Sequence, residues 1–280
     1  MKRPKRVAAI HDISAFGRCS LTVIMPILSA MGIQCCPVPT AVLSTHTGGF
    51  HNIAIKNTDE FMTGCFHHHQ SLEIHMECIY SGFLAKASQI DEVAAYLSKN
   101  KSSLKVVDPV LGDCGKPYQT MTHEIIKKMR CLISKADIIT PNPTEVSLLL
   151  NERYSDVPLP YETAIVYLKR LSHLGPSKVI ITGIDLLHQG ICNLGYDDET
   201  DEIYNVSCNY IPVHYTGTGD IFASVLIGEL LNENGLLSAM EKATAFVEEC
   251  IQITYPSGEP TRDGVFLEYA LPLLYQKGRE

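Results

Sequence analysis

The sequence predicts an α/β protein: a mostly parallel central sheet flanked by helices on both faces. Three observations lead there. Short β-type runs alternate with longer stretches of helical period along the chain. The residues just after nearly every predicted strand are polar or glycine, as the ligand-bearing edge of such a sheet requires. No linker, low-complexity tract or repeat interrupts the pattern, so a single domain over residues 1–280 is expected.

Residues 6–10 read as the first strand, followed by a loop containing Gly17 and a helix over 20–31. Residues 33–38 form the next strand. The stretch 73–84 passes through a strand end at Cys78 to Gly82, and 90–97 is helical. A strand over 104–107 stops at Asp108-Pro109, because the residue before proline avoids helix. A helix over 122–133 takes Thr122 as its N-cap. A strand over 136–140 ends at Pro141-Asn142-Pro143, and a helix opens over 145–150 with Thr144 as a plausible cap. Residues 161–174 are helical and 178–182 form a strand. Residues 190–204 look like a hairpin, with turn chemistry between two alternating runs. A glycine loop at 217–219 then leads into a long helix to 231, another over 236–254 and a closing helix near 265–274.

Composition bounds the function. Apolar residues make up 45% and charged residues 19%, an ordinary globular balance. A net charge of -8 argues against a non-specific nucleic-acid binder, whose affinity depends on lysine and arginine. The ten cysteines show no C-x-x-C pair and no regular spacing, which fits a reducing compartment. The basic N-terminus is followed by only four apolar residues before His11 and Asp12, too few for a signal core. No run is long enough to span a membrane, so a cytoplasmic protein is expected.

Two kinds of segment carry chemistry. Gly217-Thr218-Gly219-Asp220 opens an apolar helix, so free amides and the positive helix end would converge near an aspartate. That arrangement suits a transferring phosphoryl group, with the carboxylate accepting a proton from an attacking alcohol. The same residues also make an ordinary turn with an acidic cap, so alone they do not decide. The segment is neither a Walker A loop nor a dinucleotide fingerprint. The second kind is the pair of acidic strand ends, Asp108 through Asp113 and Thr140 through Glu145. Carboxylates there would hold Mg²⁺, or merely cap a turn and favour a helix dipole.

Together with Ser44 through Gly48, Ser81 through Leu84 and Ile10 through Gly17, these motifs resemble the ribokinase superfamily and, within it, the pyridoxal kinase branch. The likeness covers about residues 6 to 250 in order. It implies a ribokinase-like three-layer sandwich and ATP-dependent phosphorylation of the 5′-hydroxymethyl group of pyridoxal, pyridoxine or pyridoxamine in a salvage route. It also implies Mg²⁺, K⁺ and a cytoplasmic homodimer. By resemblance Asp220 is the base, and Gly217, Thr218 and Gly219 stabilise the developing charge. Asp108, Asn142 and Glu145 place ATP and Mg²⁺, with Asp108 and Glu145 as the metal carboxylates. Thr140 and Thr182 touch the nucleotide, Asp113 and Tyr118 lie near its phosphates, and Asp12, Thr47, Gly48 and Phe83 fall at the pyridine ring.

Departures from the pattern bear on the substrate. Asp12 stands where serine is usual, Ile13 where histidine is common, and Gly183 where lysine or serine occurs. A carboxylate at 12 would favour a cationic or donor group and tilt preference toward the amine vitamer. His67-His68-His69 would point in different directions on a helix and so would not converge on one ion. Cys114 has no neighbouring base in sequence, and His11 and His46 are each weak signals alone. The alternatives are a hydroxymethylpyrimidine (phosphate) kinase of thiamine synthesis and a non-catalytic protein that binds pyridoxal phosphate.

Overall fold

The computed structural model describes residues 3–209 and 211–275, so Met1 and Lys2 of the basic N-terminus lie outside it. The chain forms two compact units. One comprises the described residues up to Tyr80 and from 211 onward, the other Ser81–Asn209.

The first unit begins with β1 (Arg6–Ser14), whose residues Val7 to Ile10 are fully buried. An apolar run of this kind forms a strand covered on both faces, and it continues four residues past the expected end. Helix α1 (Leu21–Ala30) buries Leu21, Val23, Ile24, Ile27 and Leu28. Strand β2 (Gln34–Leu43) pairs parallel with β1, and the register slips between His11 and Ile13. Strand β3 (Ile55–Asn57) pairs antiparallel with β2 and precedes α2 (Asp59–Ser71) and β4 (Cys78–Ser81). The strand order here is β4-β1-β2-β3. Neither β3 nor the span of α2 is legible in sequence: the strand is three residues long, and α2 buries only Met62 and Phe66.

The second unit contains α3 (Ala87–Lys99), β5 (Leu104–Val107), a ribbon of β6 (Gly112–Asp113) and β7 (Lys116–Pro117), and α4 (His123–Ile133). Next come β8 (Ile138–Ile139), α5 (Pro143–Leu150), α6 (Tyr161–Ser172) and β9 (Lys178–Leu186). The hairpin of β10 (Gly190–Asp197) and β11 (Glu202–Ser207) forms as the turn residues predicted. Strands β5, β8 and β9 are parallel, and β10 and β11 continue the order antiparallel. Thr122 caps α4 as expected, its hydroxyl accepting from the Ile125 amide. Two readings are corrected. The cap of α5 is Asn142 rather than Thr144, because Asn142 and Glu145 form a reciprocal capping box around Pro143. Strand β9 does not stop at Thr182: it runs on to Leu186, with the Gly183 amide bound to Asn193 Oδ1 beside a register slip in β10.

The chain then returns to the first unit as α7 (Thr218–Leu231), α8 (Leu236–Thr254) and α9 (Leu267–Ala270). Helix α7 is buried nearly all round and packs on α1 and α8, which is why its sequence is apolar on every face. The expected closing helix breaks after Ala270 into α9 and a short 3₁₀ turn, Leu271–Leu274, that carries Pro272 in its first turn. All ten cysteines are free thiols. Among the described residues, no helix is long and apolar enough to cross a membrane.

Candidate active site

In the first unit, Gly217 is the left-handed cap of α7, at φ 86. A Cβ there would run into the Arg18 carbonyl, so this turn needs glycine. The helix starts at Thr218, which places Gly219 inside it and Asp220 in its first turn. The sequence places residues 217–219 in a loop, whereas in the structure only Gly217 lies outside the helix. The Thr218 hydroxyl donates to the Tyr215 carbonyl, 3.1 Å away.

Asp220 is buried and held through both oxygens. Oδ2 accepts from the Ser20 amide at 2.7 Å, and Oδ1 lies 3.1 Å from His11 Nε2. Ser20 itself sits at φ 55, a strained position for a non-glycine residue, and its hydroxyl donates to Asp12 Oδ1 at 2.7 Å. Ser14 donates to Asp12 Oδ2 at 3.0 Å, and His11 Nδ1 lies 2.9 Å from Asp12 Oδ1. Burial works to lower the His11 pKa, but the Asp220 and Asp12 carboxylates outweigh it and carry it up to about 10. Burial works to raise Asp12, yet the His11 contact, followed by the Ser20 and Ser14 hydroxyls, holds its carboxyl below the usual range. Burial pushes the Cys19 thiol up, and the two aspartates add to this, so it is no nucleophile.

Thr47 and Gly48 lie half-buried in a loop tied down by His46. The imidazole accepts from the Gly48 amide at 3.1 Å and donates from Nε2 to the Arg262 carbonyl at 2.6 Å. The Arg262 guanidinium lies 4.9 Å from the Phe50 ring, and the Phe50 ring is edge-on to His46. A segment near the C-terminus thus secures the 46–50 loop.

In the second unit, Asp108 is buried at the end of β5, its amide bonded to the Ser81 carbonyl. Glu145 Oε1 accepts from the Leu111 amide at 3.1 Å and Oε2 from the Asn142 amide at 2.8 Å. Asn142 Oδ1 in return accepts from the Glu145 amide, and its Nδ2 donates to the Gly112 carbonyl. Burial pushes the Glu145 carboxyl well above its ordinary range; Asp108, and to a lesser degree Asp113, push it further, against the pull of the two amides. Two buried carboxylates that repel each other form a donor set suited to a hard divalent cation. Asp113 is half-buried, with Oδ1 on the Cys114 amide, and the Tyr118 amide bonds the Leu111 carbonyl. The Thr140 hydroxyl is buried without a hydrogen-bond partner among the described residues. The Thr182 amide bonds the Pro141 carbonyl, and Phe83 is buried.

The structure therefore gathers Asp12 and Gly217 to Asp220 into one cluster, and Asp108, Asp113, Asn142 and Glu145 into another. Sequence reasoning missed Ser14, Ser20 and the weight of His11. Two polar residues closing an apolar strand were the available signal.

A family model for phosphomethylpyrimidine kinase matches residues 25–262. A crystal structure with pyridoxal, of a Bacteroides thetaiotaomicron protein assigned as a phosphomethylpyrimidine kinase, is 39% identical, with a TM-score of 0.93 over 99% of this chain and 98% of that one. Pyridoxal kinase from Lactobacillus plantarum is 29% identical, with a TM-score of 0.88 over 98% and 97%. A hydroxymethylpyrimidine/phosphomethylpyrimidine kinase of Staphylococcus aureus is 24% identical over 267 residues, 91% of this chain and 90% of that one. With the family model spanning most of its length, the chain belongs to the phosphomethylpyrimidine kinase family and is a kinase of the ribokinase-like α/β type.

Proposed function

We propose that the chain moves the γ-phosphoryl group of ATP to the 5′-hydroxymethyl group of a vitamin B6 compound, working as one kinase domain. The observation that carries this reading is Asp220, a buried carboxylate in the first turn of α7, oriented through both oxygens and adjoining a glycine turn. As the hydroxyl oxygen bonds to the γ-phosphorus, Asp220 takes its proton and the bond to the β-phosphate oxygen breaks, releasing ADP. The amides at the start of α7 meet the charge that builds on the phosphoryl oxygens. By the same reading Thr47, Gly48 and Phe83 would contact the ring. Asp12, expected among them, already serves His11, Ser14 and Ser20. The second unit would supply Asp113, Tyr118, Thr140, Asn142 and Thr182 to the nucleotide, and Asp108 and Glu145 to Mg²⁺. Bound there, Mg²⁺ would offset phosphate charge. The same reading takes K⁺ as an activating ion and a cytoplasmic homodimer as the working form.

A second reading, phosphorylation of hydroxymethylpyrimidine or its phosphate, is favoured by the family model and the staphylococcal relative. The test is ATP consumption against pyridoxal, pyridoxine, pyridoxamine, hydroxymethylpyrimidine and ribose, with products identified by mass. Turnover of a B6 vitamer, reduced about a thousandfold or more in Asp220→Asn, is expected. Turnover of the pyrimidine alone moves the chain to the second reading. Tight vitamer binding without turnover would overturn both in favour of a non-catalytic binder.

A further inference from the structure

Behind the proposed base lies a feature that phosphoryl transfer alone does not require: a histidine enclosed between two buried aspartates. His11 is 2% exposed, Asp12 4% and Asp220 8%. The three form a continuous line, with Asp12 Oδ1 at 2.9 Å from Nδ1 and Asp220 Oδ1 at 3.1 Å from Nε2. Adjacent residues of a regular strand point to opposite faces, so His11 and Asp12 should not meet. They meet because the β1–β2 register slips between His11 and Ile13, an irregularity of the kind that re-aims side chains.

We propose that His11 is a positioning residue for the phosphoryl-transfer reaction, held as an imidazolium by Asp12 and fixing the orientation of Asp220. The proposal rests on the kinase reading with Asp220 as base. Two protonation patterns compete. A neutral ring would accept the Asp12 amide at Nδ1, 3.0 Å away, and turn only Nε2–H toward Asp220. That pattern leaves a ring lone pair facing the Asp12 Oδ1 oxygen. A cationic ring presents N–H groups to both carboxylates, the only state that suits acceptors on both sides. The Nε2 contact is an ion pair at short range rather than an aligned hydrogen bond. Titratable groups facing the ring are Asp12 on its own strand, Asp220 on α7 and Tyr80 on β4, whose ring centroid lies 6.3 Å away. Cys19, also under the influence of both aspartates, stays a neutral thiol. The β2 residue opposite His11 is Pro39, which brings no charge.

The arrangement gives Asp12 a different task from contacting the substrate ring. Both of its oxygens face inward to His11, Ser14 and Ser20, so its effect on the reaction would pass through His11 to the base.

Two measurements test this on the full chain. In ¹⁵N-histidine NMR at about pH 8, ordinary histidines are neutral. One of the 11 should be cationic, and that signal should be missing in His11→Gln. Eleven neutral rings in the wild type would overturn the proposal without any variant having to fold. In steady-state kinetics on the acceptor turned over best, His11→Gln and Asp12→Asn should each lower kcat about tenfold or more. KM for the acceptor should change less than about threefold. Raised acceptor KM with unchanged kcat in Asp12→Asn would return that residue to the ring and overturn the proposal. The underlying reading fails separately: it falls if Asp220→Asn stays active. If Asp220→Asn is dead while His11→Gln keeps full kcat, only the positioning role falls.

Discussion

The molecule buries carboxylates in two places and treats them in opposite ways. In the first unit, charge alternates: Asp12, His11 and Asp220 form a line in which each carboxylate touches the imidazole, and Ser14 and Ser20 satisfy the remaining acceptors. In the second unit, charge accumulates: Asp108 and Asp113 both oppose the Glu145 carboxylate, and among the described residues backbone amides alone answer it. The first arrangement lifts a cation's pKa and lowers a carboxylate's; the second lifts a carboxylate's. A line of alternating charge keeps its geometry without a ligand, as a base must before the alcohol arrives. Stacked like charge is relieved only by something from outside, which suits a site that takes a metal with its nucleotide.

Short of replacing Asp220 itself, the largest way to break the first arrangement is Gly217→Ala. Placing a side chain at φ 86 costs about 1–3 kcal/mol, and the new Cβ meets the Arg18 carbonyl one residue from Cys19 and two from Ser20. Because the Ser20 amide orients Asp220, kcat should fall about a hundredfold or more while ATP affinity, measured by titration, holds. Unchanged kcat would detach the turn from the base.

The alternating line also predicts a pH signature. The pKa of His11 rises from 6.5 in the open chain to about 10 in the fold. A raised pKa contributes stability that is fully present below about 6.5 and is lost as pH climbs toward about 10. Melting temperature should therefore decline between those values in the wild type and decline less in His11→Gln. Parallel curves would mean that the imidazole is neutral throughout.

How much of this was legible follows the range of the interactions. Helices α4, α6 and α8 announce themselves by local period, α4 also by its Thr122 cap, and the hairpin of β10 and β11 by its turn residues. The acidic loops were also readable, because Pro141-Asn142-Pro143 and Glu145 act within five residues of one another. The cap moved from Thr144 to Asn142 because a box with Glu145 satisfies two amides where one hydroxyl satisfies one. The polar pair at His11 and Asp12 was visible, but not the partnership of His11 with both aspartates. Its partner Asp12 is a neighbour that a regular strand would turn away, and Asp220 lies some two hundred positions along the chain.

The stacked site is sharpened by paired substitutions of Glu145. Alanine removes the acceptor for the Leu111 and Asn142 amides, which should cost about 1–3 kcal/mol per amide left unsatisfied. Glutamine keeps one acceptor and discards the charge that Asp108 and Asp113 oppose, so its loss should be less than half that of alanine. Both variants should need more Mg²⁺ to reach half-maximal rate. Equal stability losses would show that repulsion contributes little there.

The smallest effect is expected where neither cluster is touched. Thr122 caps α4 through the Ile125 amide at 3.3 Å, a long bond at an exposed helix start. Removing that acceptor in Thr122→Ala should cost about 1 kcal/mol, seen as a lower urea midpoint with unchanged slope. A cap works only on the fraying of its own first turn, so kcat, acceptor KM and the Mg²⁺ requirement should all match the wild type. This variant therefore sets the scale for the others. A kinetic loss in Gly217→Ala or Glu145→Ala that Thr122→Ala shares would be a consequence of lowered stability. One that it lacks belongs to the carboxylates themselves.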